Sequence, residues 1–421
     1  MTSGSFERAL QIGRPPNVRR LFPHSRALLV SGKAIDRGLR TRGGCMTIAA
    51  NGRNLVVIRG ALAAAQHANA AIIVEIAKSE GGRDAYCGTN FWNMALRVDQ
   101  AANELGITVP VAIHADHYGI KGAADIEAAR TEIPSMFDAG ITSIAIDASH
   151  LPDDENLLAS LAMAPLIPTW AGYETEVGEI KGKAGMSTPQ EAVFLLSGLN
   201  AHGVFPIWIA LNNGSAHGIQ TEEHGIQVDL TRAVHDAIAP YQVSGAQHGT
   251  SGNSSDRLRE IATLTHTTKA NVATALQMIS WGVEVDDYGN ASLDADGNLV
   301  KLPGKGVTEA LWAEMLAYAA GQGWKGGNLK KLNRPFETRV LSQPREVRER
   351  MAAAVEDFVY HLLVDVFYAG DTAPLVVEEL VRADSHDVGT HATRIEDPAE
   401  WTEAEIRRKA ALIDSDKGPE G

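Results

Sequence analysis

The chain has 421 residues, with 38 Lys and Arg against 52 Asp and Glu, for a net charge of −14. That acidity speaks against a nucleic-acid partner or an anionic membrane surface, because neither polyanion gains by meeting a like charge. Hydrophobic residues at 44% and charged residues at 21% are globular proportions, and no apolar run reaches the ~20 residues that span a bilayer.

Residues 1–27 read as an irregular N-terminal arm, since Pro15, Pro16 and Pro23 interrupt any helix there. The arm has basic residues but no apolar core segment, so no secretory signal is expected. A short helix is predicted near 32–40. Strand-like and helix-like stretches then alternate, with strand-like runs at 46–50, 71–77, 109–115, 143–148, 169–174, 204–211, 241–247 and 268–273. Most are continuously apolar, as parallel strands covered on both faces must be. Between them, Thr188-Pro189-Gln190-Glu191 is a capping box with proline at the first helical position, and Ser254-Ser255-Asp256 can cap the next helix.

Eight β/α units in one run predict an α/β fold, a (β/α)8 TIM barrel over residues 28–282, with a doubly wound open sheet as the alternative that periodicity leaves open. After that the alternation stops. Residues 283–384 read as a hairpin or loop and a helical C-terminal extension, with helices over 307–321, from 344, and over 373–384. In the second of these, Val347, Met351, Val355, Phe358, Leu362 and Val366 recur at helical spacing, a stripe that suits a partner subunit or the barrel itself. Residues 385–421 read as a polar tail expected to be mobile. Cys45 and Cys87 build no disulfide framework, which suits a reducing, cytoplasmic setting.

The chemistry sits at the C-terminal ends of the predicted strands, the active-site face of such a barrel. The third strand runs into His114-Ala115-Asp116-His117, where alternation places His114 and Asp116 on one face and His117 just past the end. The fourth ends in Asp147, expensive to bury without a cation or donors, with an N-cap role as the plain alternative. The fifth carries Glu174 and Glu176, which repel unless a cation separates them. The sixth leads to His217-Gly218. The seventh leads to His248-Gly249-Thr250-Ser251-Gly252, a glycine-rich turn before a helix, which exposes N–H donors suited to phosphate. The eighth ends in Asn271 and Thr274. Each feature alone has an ordinary surface explanation. Together they converge on one face, where imidazoles would suit Zn2+ with an open position and a nearby phosphate cradle. The residues point to metal-assisted carbon–carbon chemistry on a phosphorylated ketose, with no lysine in the converging set.

The motifs HADH at 114–117, IDAS at 146–149, ETEVG at 174–178, SAHG at 215–218, HGTSG at 248–252 and NVAT at 271–274 follow one another in a familiar order and spacing. Over about Leu28 to Thr274 the chain resembles the class II, metal-dependent ketose-bisphosphate aldolases, of which fructose-bisphosphate aldolase is the best known. The resemblance implies that His117, His217 and His248 hold a catalytic Zn2+, and that Asp147 and Glu176 serve a second or alternative metal position, divalent or monovalent. It implies that Asp116 handles the proton on the hydroxyl of the bond broken. It further implies that Gly218, Gly249, Thr250, Ser251, Asn271 and Thr274 hold dihydroxyacetone phosphate, and that the protein is a homo-oligomer acting on a small sugar phosphate.

The sequence also departs from that family. Lys183 and Ala184 stand where its mobile loop carries acids, one of them the glutamate that moves the proton on the enediolate carbon. Thr250 replaces a glycine in the phosphate turn, Ala77 a serine, and Ala273 the aspartate of fructose-specific members. Arg334 and Arg339 are candidates for a second phosphate, with a solvated basic stretch as the plainer reading. Two rivals follow: a lyase of the same fold on another sugar phosphate, and a non-catalytic sugar-phosphate-binding barrel or assembly subunit.

Overall fold

Continuous apolar runs bounded by turn residues become strands because both of their faces are covered by helices. In the computed structural model, which describes residues 3–83, 85–178, 185–214, 225–286, 289–295 and 297–416, nine parallel strands form one sheet. They are β1 (Leu29–Val30), β2 (Thr47–Asn51), β3 (Ile72–Ala77), β4 (Val111–Gly119), β5 (Ser143–Asp147), β6 (Gly172–Val177), β7 (Trp208–Leu211), β8 (Ser244–Gln247) and β9 (Thr267–Val272). Strands β2 to β9 run in sequence around the sheet, β2 pairing β9 at one seam and β4 pairing both β3 and β5. The sheet is therefore closed, which removes the open doubly wound alternative. β1 pairs only with Val111 and Ala112, below the point where β5 joins β4 at His114.

The main core lies between the strands and the surrounding helices, where Ile72, Val74, Ile113, Ile144 and Ile146 meet helix residues such as Val57, Leu62, Val98 and Ile133, all fully buried. A second cluster closes the N-terminal end of the barrel. Ala49, Ile73, Ala112 and Trp208 meet Leu28, Val30 and Ile35 there, together with Val376 and Leu380 from the helix Ala373–Ala383. Apolar side chains close that end around one buried polar chain, in which Trp208 Nε1 donates to Thr268 and Thr268 to Asp36.

The two chain ends are more structured than the prolines and polar composition suggest. Residues 1–27 carry the helices Ser3–Ile12 and Pro16–Leu21. Pro15 falls between these helices, Pro16 at the first position of the second, where a missing N–H costs nothing, and Pro23 beyond its end. Beyond residue 384, Trp401 and the helix Glu403–Asp416 are docked on the barrel. Trp401, Ile406 and Ala410 are buried in a cluster with Leu157, Phe194 and Leu199, and the Trp401 and Phe194 rings lie 5.6 Å apart. A period of two or three buried positions in an otherwise charged helix is too sparse to show in composition.

The extension follows its predicted order, with antiparallel bridges over 283–301 and helices Glu309–Gly321, Arg345–His361 and Ala373–Ala383. The apolar stripe of Arg345–His361 is consumed within the chain, Val347, Met351, Val355 and Val359 being buried. A Cβ on Gly60 of the helix Leu55–His67 would come within 2.5 Å of the Ala352 carbonyl, so only glycine permits this helix approach. The stripe thus gives no support for an oligomer.

Both predicted caps form. The Thr188 hydroxyl accepts from Glu191 N at 3.2 Å, while the Glu191 carboxylate accepts from Thr188 N at 2.6 Å. Ser254 Oγ accepts from Arg257 N at 3.2 Å. Thr188→Ala is expected to cost about 1 kcal/mol, read as a lower urea midpoint at unchanged m-value.

Candidate active site

The site is built from β4 outward. Register along β5 slips between Ala115 and Tyr118, so one extra residue is accommodated in β4. His117 sits at this bulge with φ +44°, a left-handed conformation that a non-glycine residue adopts only when its surroundings impose it. The bulge overrides strict alternation and lets neighbouring Asp116 and His117 both serve the barrel mouth. Sequence alternation alone predicts opposite faces and puts His117 past the strand end; the structure keeps it within β4.

Two groupings of ligand atoms share His117. In one, Asp116, His117 and His248 each offer an atom within 4.8 Å of the others; in the second, His117, Asp147 and Glu176 do so. The His117 and His248 rings stand edge to face, 4.4 Å apart. His117 Nδ1 lies 3.3 Å from both Asp147 Oδ2 and Glu176 Oε2. Asp147 is further held by Ser149 N at 3.1 Å and Ser149 Oγ at 2.6 Å, and does not cap the following helix, whose N-cap is Pro152.

His248 is buried, and its Nε2 meets Glu174 Oε1 at 2.9 Å. Among the described residues its Nδ1 is buried without a hydrogen-bond partner, and Glu176 Oε1 lies 3.9 Å away. A carboxylate on one imidazole nitrogen fixes the tautomer and leaves the other nitrogen as a lone-pair donor, the arrangement that metal-binding histidines use. Orphaned donors of this kind, facing carboxylates, fit a divalent cation. His217 and Gly218 lie outside the described residues, as do Lys183 and Ala184.

The expectation that no lysine joins the set is corrected. Lys269 on β9 is fully buried, with Nζ 2.8 Å from Glu174 Oε2, 3.3 Å from Glu75 Oε2, 3.4 Å from Asp116 Oδ1 and 3.2 Å from His114 Nε2. A third grouping that could hold a metal, Glu75, His114 and Asp116, is thus already occupied by an ammonium. The signal was present in the sequence: a lysine within the otherwise uncharged strand Thr267–Val272 needs buried carboxylates, and Glu75 within Ile72–Ala77 is its counterpart.

Electrostatics follow from this packing. Burial would raise Asp116, but the charges of His117, Lys269 and His248 outweigh it and hold the carboxyl below its ordinary range. Burial, joined by the Asp116 charge, pushes Glu75 well above it. Burial would lower His117, yet Asp116 and Glu176 raise it well above the ordinary imidazole value, so the acids favour positive charge at this point. Asp147, against the pull of burial, is brought down to about 2 by His117 and Ser149. Asn271 Nδ2 donates to both Asp116 oxygens at 3.2 Å, which fixes the carboxylate plane.

Gly249, Thr250 and Ser251 form the turn after β8, with positive φ at Gly249 (+61°) and Gly252 (+87°). Thr250 is not among the left-handed residues. Its hydroxyl donates to the Asn271 carbonyl at 2.6 Å, tying the turn to β9 instead of crowding it. Thr274 is exposed at the first turn of the helix Thr274–Trp281, with Arg53 Nη1 3.4 Å from its hydroxyl. Arg53 is itself buried against Glu80 and Gln277, a pair that sequence reading missed. Arg334 donates to the Ala85 carbonyl and Arg339 pairs with Glu314 on the surface.

Solved structures share this fold. A fructose-bisphosphate aldolase from Campylobacter jejuni superposes with a TM-score of 0.56 at 17% identity, covering 82% of this chain and 97% of that one. The YdjI aldolase from Escherichia coli K12 does so with a TM-score of 0.54 at 18% identity, covering 82% and 99%. In sequence, a fructose-bisphosphate aldolase of Staphylococcus epidermidis is 34% identical over 134 residues, 32% of this chain. The match spans 42% of that relative's length. One from Mycoplasma pneumoniae is 28% identical over 241 residues, 56% of this chain and 77% of its own. The sequence profile described as fructose-bisphosphate aldolase class-II matches residues 40–358, from the first strand of the closed sheet through the histidine and carboxylate groupings and into the helical extension. With that match spanning most of its length, the chain belongs to the class II fructose-bisphosphate aldolase family.

Proposed function

We propose that the protein is a divalent-metal-dependent aldolase that reversibly cleaves a ketose 1,6-bisphosphate, fructose 1,6-bisphosphate first among them, into dihydroxyacetone phosphate and an aldehyde. The observation that carries this reading is the grouping of Asp116, His117 and His248, in which His248 Nδ1 is buried without a hydrogen-bond partner among the described residues. His117 and His248, with His217, would hold the ion, and Asp147 and Glu176 offer an alternative position. A bound divalent ion such as Zn2+ supplies Lewis-acid polarisation of a carbonyl.

The chain's own residues supply the rest. Asp116, held ionised by its cationic neighbours, accepts the C4 hydroxyl proton as the C3–C4 bond breaks. The bonding pair passes into the ketose-derived enediolate, and C4 leaves as the aldehyde carbon. Asn271 keeps the Asp116 carboxylate oriented. The turn Gly249–Ser251, together with Thr274, offers backbone and hydroxyl donors to the phosphate of the dihydroxyacetone half. A cytoplasmic location belongs to the same reading, supported by two buried free cysteines.

The test is cleavage of fructose 1,6-bisphosphate by purified protein, coupled to triose-phosphate detection. Activity is expected to vanish with a chelator and return with added zinc. A second reading, the same chemistry on another sugar phosphate, is favoured by Lys183 and Ala184 in place of the loop acids. Protein that holds zinc stoichiometrically yet leaves fructose 1,6-bisphosphate intact would decide for that reading.

A further inference from the structure

A cavity of about 460 Å³ is lined by His117, Asp147 and Glu176 and also by Lys78, Lys121 and Asp125. The turn after β8 and Thr274, the places offered to the dihydroxyacetone phosphate end, do not line it. A substrate held at that turn, with its reacting carbons at the His117 and His248 grouping, has this cavity as space for its remaining half.

Two lysines line the cavity together with Asp125, in a chain whose net charge is −14. Lys78 is preorganised: Nζ donates to the Gly119 carbonyl at 2.9 Å, lies 3.4 Å from Asp125 Oδ1 and stands 4.1 Å from the centre of the Tyr118 ring. Asp125 is also tied down by Lys121 N, which donates to its Oδ2 at 2.9 Å. The same aspartate therefore fixes the Lys78 ammonium and the backbone from which the exposed Lys121 side chain projects. Lys78 keeps 27% of its side chain exposed despite these contacts, so it is held in place without being sealed off. With Lys78 paired to Asp125, the exposed Lys121 and the Ser79 and Ser149 hydroxyls of the same lining suit an anionic oxygen group, not a neutral polyol tail. Of the lining carboxylates, Asp147 and Glu176 face His117 and Asp125 is taken up by Lys78, which leaves Lys121 as the anion-seeking group.

We propose that Lys121, with Lys78 behind it, determines specificity by binding an anionic group, phosphate or carboxylate, on the aldehyde half of the substrate. The assignment rests on the aldolase reading and moves the second anion contact from Arg334 and Arg339 to the loop after β4.

The experiment is aldol addition of dihydroxyacetone phosphate to three acceptors: glyceraldehyde 3-phosphate, succinic semialdehyde and uncharged glyceraldehyde. Wild-type protein is expected to favour an anionic acceptor, the phosphate and carboxylate arms showing which. Lys121→Met should lower the kcat/KM preference for it over glyceraldehyde about tenfold, through KM, the scale of one lost charge-assisted hydrogen bond. Lys121→Arg should restore most of that preference. An unchanged preference in Lys121→Met, or equal use of all three acceptors by the wild type, overturns the assignment while leaving the aldolase intact. Failure of the zinc-loaded wild type to join any acceptor refutes the aldolase reading, and this inference falls with it.

Discussion

Asp116→Asn is expected to lower kcat by about 10²- to 10⁴-fold, the usual range for loss of a general acid–base group, while metal content stays at the wild-type level. The amide is nearly isosteric with the carboxylate, so the fold should tolerate it. It cannot take a proton from the C4 hydroxyl, and it faces the Asn271 amide, which now donates to both carboxylate oxygens at 3.2 Å, with one acceptor instead of two. The measurement is steady-state turnover alongside metal analysis of the same preparation. Loss of metal would recast Asp116 as a ligand, a role its place beside His117 and His248 also permits. Retained turnover would remove it from the proton path.

Lys269→Met is expected to destabilise the protein by about 3–5 kcal/mol, the scale for removing one partner of a buried ion pair. The methionine fills most of the volume but leaves the buried carboxylates Glu174 and Glu75 without their ammonium and Asp116 with His117 as its main counter-charge. Urea unfolding reads the loss, and Glu75→Gln in the same background should recover little, because Glu75 is already held toward its neutral form by burial and by Asp116. The sign with pH follows. A carboxyl whose folded pKa lies above its unfolded value contributes stability that is complete in acid and lost as pH rises through the folded pKa. In Lys269→Met, Glu174 loses its largest counter-charge and moves toward Glu75's class, while Asp116 keeps His117, so the deficit should shrink as pH falls below neutrality. A deficit that does not change with pH would place the cost in packing instead of charge.

The barrel was readable because parallel strands buried on both faces leave long uninterrupted apolar runs, and all eight predicted runs overlap a strand of the closed sheet. The caps at Thr188 and Ser254 were readable because they depend on residues three apart. A lone lysine in Thr267–Val272 signalled that carboxylates must be near, but not which: its partners come from β3, β4 and β6, and no local pattern links it to Glu75, Asp116 and Glu174. Backbone register decides the geometry at His117, and a slip of one residue leaves no mark in composition. The helices at both ends were missed because each buries only a thin stripe against the barrel, as Phe6 and Ala9 do near the N-terminus.

The left-handed backbone at His117 also governs how variants there can be interpreted. Valine or isoleucine at this position would lose the imidazole and, being β-branched, oppose φ +44° at the same time. Any loss of activity would then confound ligand chemistry with collapse of the bulge that aims Asp116. His117→Asn separates the two, since asparagine tolerates the left-handed region while providing no imidazole. Genetic screens that recover only branched substitutions at 117 would therefore report on strand register, and the asparagine variant alone would report on the ligand.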